Sequence, residues 1–158
     1  MNKVTPQLDI VVVSYNTREL TLEALTSVYE ETTQTSFNLI VVDNNSDDGS
    51  ADAIEQAFPQ LTLIRSPRNL GFSGGVNLCT KYLQSDYLLL LNPDTVVPEP
   101  TFAEMVSFMD AHPAIGVAGP RVRRPDGSLD RACRRGFPTP QVSFYRITGL
   151  IRLFPNSR

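Results

Sequence analysis

The sequence predicts an α/β fold, a mainly parallel sheet with helices on both faces. Short continuous apolar runs alternate along the chain with segments of helical period. The runs lack the in–out alternation of a half-exposed sheet, as strands covered on both faces do. They also end in polar corners built of Ser, Asn and Asp.

Leu8–Val13 (LDIVVV) reads as the first buried strand. The helix after it, Thr17–Glu31, carries Leu20, Leu22, Leu25 and Val28 at helical spacing. Asn16 and Glu19 stand in the capping-box relation that marks its start. Phe37–Val42 is the second strand, and Ser50–Phe58 is a short helix that Ser50 can cap and Pro59 stops. Leu61–Arg65 is the third strand, Ser73–Gln84 the third helix, and Tyr87–Leu91, with its unbroken run of leucines, a deeply buried fourth strand. Pro100–His112 forms a helix that ends before Pro113, and Ile115–Ala118 is expected to be a fifth strand. Beyond Gly119 the chain turns rich in Arg and Pro. Asp126-Gly127 predicts a hairpin turn there, and residues 137–158 show no readable element.

The totals set bounds. A chain of 158 residues, 41% apolar and 20% charged, has ordinary globular composition and is long enough for a core and a cleft. No run approaches the roughly 20 apolar residues that span a bilayer. The opening MNKVTPQLDI has no signal-peptide apolar core. Cys79 and Cys133 are far apart and form no CxxC pair, which fits a reducing cytoplasmic location. His112 is alone, so mechanisms needing two histidines are excluded. The net charge of −3 conceals an asymmetry. Residues 1–120 hold 5 Lys and Arg against 15 Asp and Glu, whereas residues 121–158 hold 9 arginines against 2 aspartates. The basic end is either a solvated tail or a patch for an anionic partner such as a diphosphate or phospholipid headgroups.

In open parallel sheets, ligands bind outside the carboxyl ends of the strands. Three such ends are polar: Ser14-Tyr15-Asn16, Asp43 with the following NNSDDGS, and Asn92-Pro93-Asp94. Asp43 closes an Ile-Val-Val run, and its carboxylate could accept from a pyrimidine N–H or a ribose hydroxyl. The residues after it are common turn chemistry. In RNLGFSGGVN, Arg68–Asn77, the glycines at 71, 74 and 75 admit either close ligand approach or tight strand–helix packing. The spacing is neither GxGxxG nor a P-loop. Asp94 suits a hard cation shared with a diphosphate, or an ordinary turn.

The motifs VVVSYN, VVDNNSDDGS, RNLGFSGGVN and LLLLNPDTVV, in this order and spacing, resemble the N-terminal half of a family 2 glycosyltransferase. The resemblance spans roughly residues 8–125 and is closest to bacterial rhamnosyltransferase-type enzymes of cell-surface polysaccharide synthesis. It implies a GT-A (Rossmann-like) fold and an inverting sugar transfer from a nucleoside diphosphate donor, dTDP-rhamnose first and a UDP-sugar next. The acceptor implied is a glycan or lipid-linked saccharide. Ser14, Tyr15 and Asn16 would line the nucleotide pocket, with Asp43 on the base or ribose and Asn45 beside it. Asn69, Gly71 and Asn77 would shape the nucleotide–sugar pocket. Asn92 and Asp94 would occupy the DxD position that holds Mg²⁺ or Mn²⁺, with Asp94 the metal ligand.

Two departures from the family pattern stand out. Asn92 replaces the first aspartate, so metal affinity rests on Asp94. The catalytic carboxylate of an acidic ED-type motif is absent, since Asp126 and Asp130 lie in an Arg-rich turn without that context. The catalytic base is therefore unassigned. Residues 1–125 read as a nucleotide-sugar-binding half and 126–158 as the start of a missing acceptor-side half, a piece expected to bind donor without turning it over. The alternative is a degenerate nucleotide-binding or docking module. A dinucleotide enzyme would want glycines directly after the first strand, where SYNTREL stands. A nucleotidyltransferase would want a Gly-rich basic loop there, and a receiver domain paired acids. No nucleic-acid partner is expected. The basic end would favour peripheral contact at the inner face of a membrane, and the apolar Leu150–Phe154 self-association as a homodimer.

Overall fold

The computed structural model describes residues 6–130, 133 and 139–148, and the chain divides into two compact units, Met1–Ala118 and Gly119–Arg158. The first unit is built on a four-stranded parallel sheet of order β3-β2-β1-β4. Its strands are β1 (Leu8–Ser14), β2 (Phe37–Asp43), β3 (Thr62–Arg65) and β4 (Tyr87–Leu91). Helices α1 (Arg18–Glu31), α2 (Ser50–Ala57), α3 (Gly71–Cys79) and α4 (Thr101–Ala111) connect and follow them.

The continuous apolar runs become strands buried from both sides. Alternate residues Ile10, Val12, Leu39 and Val41 pack with Leu25 and Val28 of α1, Ile54 of α2 and Phe102 of α4. The intervening Val11, Ile40 and Val42 pack with Cys79 of α3. Each such fully buried side chain contributes about 1.5–3 kcal/mol of transfer free energy, so β1 and β2 form the rigid centre. Register aligns Ser14 with Asp43 and Asp43 with Arg65, which brings the strand ends onto one margin of the sheet.

Several expectations are corrected. Ile115–Ala118 forms no strand: Ile115 N–H closes a turn on the His112 carbonyl, and Val117 is 90% exposed. A four-residue apolar stretch with no neighbour to pair with remains loop. β4 exists as expected but is an edge strand, with Leu88 47% and Leu90 45% exposed. The face of α1 that turns inward is Thr21, Ala24, Leu25 and Val28, leaving Leu20 outside. Asn16 does not cap α1. It takes left-handed backbone (φ 52°), Thr17 occupies the cap position, and the Arg18 N–H is satisfied by Asp48. Gly49, not Ser50, precedes α2. α3 begins at Gly71 and closes in a 3₁₀ turn over Thr80–Tyr82 instead of running to Gln84.

In the second unit the expected hairpin turn is present. Gly127 sits at φ 79°, its N–H donates to the Arg124 carbonyl, and Arg123 bridges Leu129 antiparallel. A helix not foreseen from the sequence, α5 (Pro140–Ile147), follows. Leu150–Phe154 and most of the arginines of the basic end beyond residue 130 lie outside the described residues. Among the described residues, no helix is long and apolar enough to cross a membrane.

Candidate functional site

The carboxyl ends of β1 and β2 are joined by one further backbone bond and then by side chains. Asn44 N–H donates to the Ser14 carbonyl. Asn16 N–H donates to Ser46 Oγ, and Asn16 Oδ1 accepts from Asp47 N–H. Asp48 accepts from the N–H groups of Arg18 and Ser50 and from the Ser50 hydroxyl. Those donors, the Ser50 hydroxyl first, hold the Asp48 carboxyl below its ordinary pKa. Asn16 and Asn45 both take left-handed backbone (φ 52° and 70°), which Asn tolerates better than most residues. Two stitched loops in uncommon backbone conformations form a rim fixed before any ligand arrives.

Asp43 lies at the centre of this rim and is 4% exposed. Its Oδ2 accepts from the Ser46 N–H at 3.1 Å, while its Oδ1 is buried without a hydrogen-bond partner. An unsatisfied buried acceptor costs about 1–3 kcal/mol, and more when charged. Such an atom can accept an N–H or O–H donor, from water or from a ligand.

The structure separates the other expected residues by what their side chains do. Ser14 is fully buried and its hydroxyl meets Thr21 at 2.9 Å and Thr17 at 3.1 Å, beneath α1. Tyr15 is 48% exposed on the rim, and Asn16 and Asn45 are exposed beside it. Asn69 Oδ1 accepts from the Gly71 N–H at 2.8 Å and from Asn44 Nδ2 at 2.9 Å, joining the α3 entry to the β2 end. Asn77 is exposed further along α3, with no hydrogen bond tying its side chain to the rim. Gly71 has φ 68°, which an L side chain resists. Gly75 serves packing, since a Cβ there would stand 2.8 Å from Val13 Cγ1 of β1. Asn44, 2% exposed, and Asp48 are the linking residues that sequence reading passed over as turn chemistry. A strand-end Asn in a turn-rich string carries no local sign of its partners.

β4 delivers Asn92 and Asp94 to the same margin, because Leu91 lies opposite Val12 of β1. Both residues are exposed in a turn closed by Thr95 N–H on the Asn92 carbonyl at 3.3 Å. Among the described residues, no group of three His, Cys, Asp or Glu side chains could hold a metal. A lone carboxylate fits an ion that takes most of its ligands from phosphate and water. In the second unit, Asp126 accepts from Ser128 N–H and Asp130 faces Arg124 at 3.6 Å, so both are engaged within the hairpin. A hollow of about 310 Å³ lined by Glu55, Phe58, Pro59 and Leu61–Leu63 lies by edge strand β3, and Glu55 there is paired with Arg65.

The family model described as "Glycosyl transferase family 2" matches residues 9–155. The N-acetylglucosaminyl-diphospho-decaprenol L-rhamnosyltransferase of Mycobacterium tuberculosis is 26% identical over 84% of this chain and 46% of its own length. The minor teichoic acid biosynthesis protein GgaB of Bacillus subtilis is 30% identical over 71% of this chain and 13% of its own. The chain therefore spans less than half the length of these curated relatives. Among solved structures, the mannosyltransferase PcManGT from Pyrobaculum calidifontis, in complex with GDP-Man and Mn²⁺, superposes with a TM-score of 0.64. It is 24% identical, over 78% of this chain and 37% of that one. S. aureus TarS bound to UDP-GlcNAc gives 0.58 at 24% identity, over 67% and 32%. These neighbours place the parallel sheet and its helices in the GT-A fold.

Proposed function

The chain belongs to glycosyl transferase family 2, and on that premise we propose that it forms the donor-binding part of an inverting glycosyltransferase. The donor is a pyrimidine nucleoside diphosphate sugar, dTDP-rhamnose first and a UDP-sugar second. The acceptor is a glycan or lipid-linked saccharide of the cell surface, met on the cytoplasmic side. The unpartnered Asp43 Oδ1 is the observation that carries this reading. The imide N–H of thymine or uracil, or a ribose hydroxyl, supplies the donor that this oxygen lacks. Tyr15, Asn16 and Asn45 edge the base and ribose, while Asn69 and Gly71 shape the path of the diphosphate toward the sugar.

Transfer forms a bond from the acceptor oxygen to the anomeric carbon and breaks the bond from that carbon to the diphosphate. The diphosphate leaves with the electron pair, and the acceptor proton passes to a general base. A divalent metal, Mg²⁺ or Mn²⁺, would offset charge on the departing diphosphate when bound, with Asp94 as its protein ligand and Asn92 beside it. Residues 1–125 supply donor binding, and residues 126–158 open the acceptor-side portion. A second reading, a nucleotide-binding module without catalysis, is favoured by the engagement of Asp126 and Asp130 within their own hairpin.

Calorimetric titration with dTDP, UDP and GDP, with and without Mg²⁺ or Mn²⁺, tests the reading on wild type and Asp94→Ala. Binding of dTDP and UDP over GDP, with the metal-dependent part lost in Asp94→Ala, is expected. No binding to any of the three overturns the donor-site reading. Sugar transfer by the 158 residues alone would overturn the expectation that they lack the base.

A further inference from the structure

Asn44 directs one side chain and one backbone group to two separate pieces of the rim, the end of β1 and residues 69–71. Its N–H donates to the Ser14 carbonyl at the end of β1. Its Oδ1 accepts from the Leu70 N–H at 2.9 Å. Its Nδ2 donates to Asn69 Oδ1 at 2.9 Å and to the Gly71 carbonyl at 3.3 Å. The residue is 2% exposed and directly follows Asp43, so it has no access to a ligand of its own. The segment it holds is the start of α3, where Gly71 is left-handed and the helix has no side-chain cap.

We propose that Asn44 is the positioning residue of the donor site, setting where residues 69–71 stand relative to Asp43. The inference rests on the donor-site reading above, and it adds which residue makes two chain segments behave as one site. The carboxamide suits the task because it presents an acceptor and a donor at once, one to an N–H and the other to two oxygens. An aspartate keeps the acceptor for Leu70 but turns a carboxylate toward Asn69 Oδ1 and the Gly71 carbonyl. Residues 69–71 must then move away, although the volume at position 44 is unchanged.

Two measurements test this on the whole chain: UDP and dTDP affinity, and amide hydrogen exchange at Leu70 and Gly71 without ligand. Asn44→Asp is expected to raise Kd about tenfold and to speed exchange at both amides, well below the melting temperature. Adding Asn69→Ala should then cost less than it does in wild type, because its contact with Asn44 is already lost and only the Gly71 N–H bond goes with it. If Asn44→Asp does not fold, Asn69→Ala alone breaks the same contact from its exposed side, with weaker binding and faster exchange at Leu70 expected; Gly71 is no readout there, because its N–H loses its own acceptor. Unchanged affinity in the folded variant, with only a lower melting temperature, would make Asn44 merely structural and sink the proposal. If wild type binds neither nucleotide, the donor reading fails and takes the affinity claim with it. Exchange at Leu70 then still decides whether Asn44 holds the segment.

Discussion

The two ends of the sheet each bury an aspartate, Asp9 on β1 and Asp43 on β2, and the two are treated differently. At the amino end Asp9, 1% exposed, has both oxygens occupied: Oδ1 accepts from Asn38 Nδ2, and Oδ2 from the N–H groups of Gln84 and Ser85. At the carboxyl end Asp43 is nearly as buried, yet only Oδ2 is used. The amino end does leave the Ser85 hydroxyl without a partner, but that group is neutral and its loss correspondingly smaller. A satisfied carboxylate fastens the chain: Asp9 holds the turn that leads into β4. A half-satisfied one can face outward to something the chain does not supply. Burial is nearly the same for the two carboxylates; the count of occupied oxygens is what differs.

The largest effect should come from the satisfied end. Asp9→Ala strands two part-buried backbone donors and the Asn38 amide, and is expected to cost roughly 3–5 kcal/mol. That is on the order of a 10 °C fall in melting temperature, read by calorimetry, for a chain of this size. Nucleotide affinity of the remaining folded protein should hold. If affinity falls with Asp9, the division between the ends is wrong.

Asp43→Asn makes the converse case. The amide can keep its acceptor toward Ser46 while its N–H₂ opposes an incoming donor. Nucleotide affinity should drop roughly 10- to 100-fold, the worth of a hydrogen bond to a charged group, with stability shifting by less than about 1 kcal/mol. A large loss of stability with unchanged affinity would put Asp43 in the same class as Asp9.

The smallest effect concerns Asp48, a satisfied carboxylate at the carboxyl end. Its folded-state pKa is depressed, so its stabilising contribution is present above the unfolded value of about 4 and is lost as pH falls through the folded one. Asp48→Asn should flatten the acid limb of a stability–pH curve below about pH 4 and leave pH 7 affinity nearly unchanged. A variant with the wild-type acid limb would remove Asp48 from that account.

The strands of this fold were legible because β1 and β2 are buried on both faces and so read as unbroken apolar runs. The same criterion overstated β4: composition reports that Leu88 and Leu90 are apolar, not that a helix covers them. It also promoted Ile115–Ala118 to a strand without a neighbour to pair with. Asp43 was legible as the carboxylate that ends a rigid strand. Asn44 was not, because its four contacts reach a strand end and a loop far off in sequence, and none of them leaves a local pattern. Ser14 misled for the opposite reason, its place at a strand end being clear while its hydroxyl turns under α1 to Thr17 and Thr21.

The near-contact between Gly75 and Val13 ties the heredity of two distant codons. A side chain gained on α3 at position 75 would collide with the valine unless position 13 shrank in step, and a bulkier residue at 13 closes off every choice at 75 but glycine. Position 75 cannot gain a side chain alone. The helix stays as close to the strand as that pair permits.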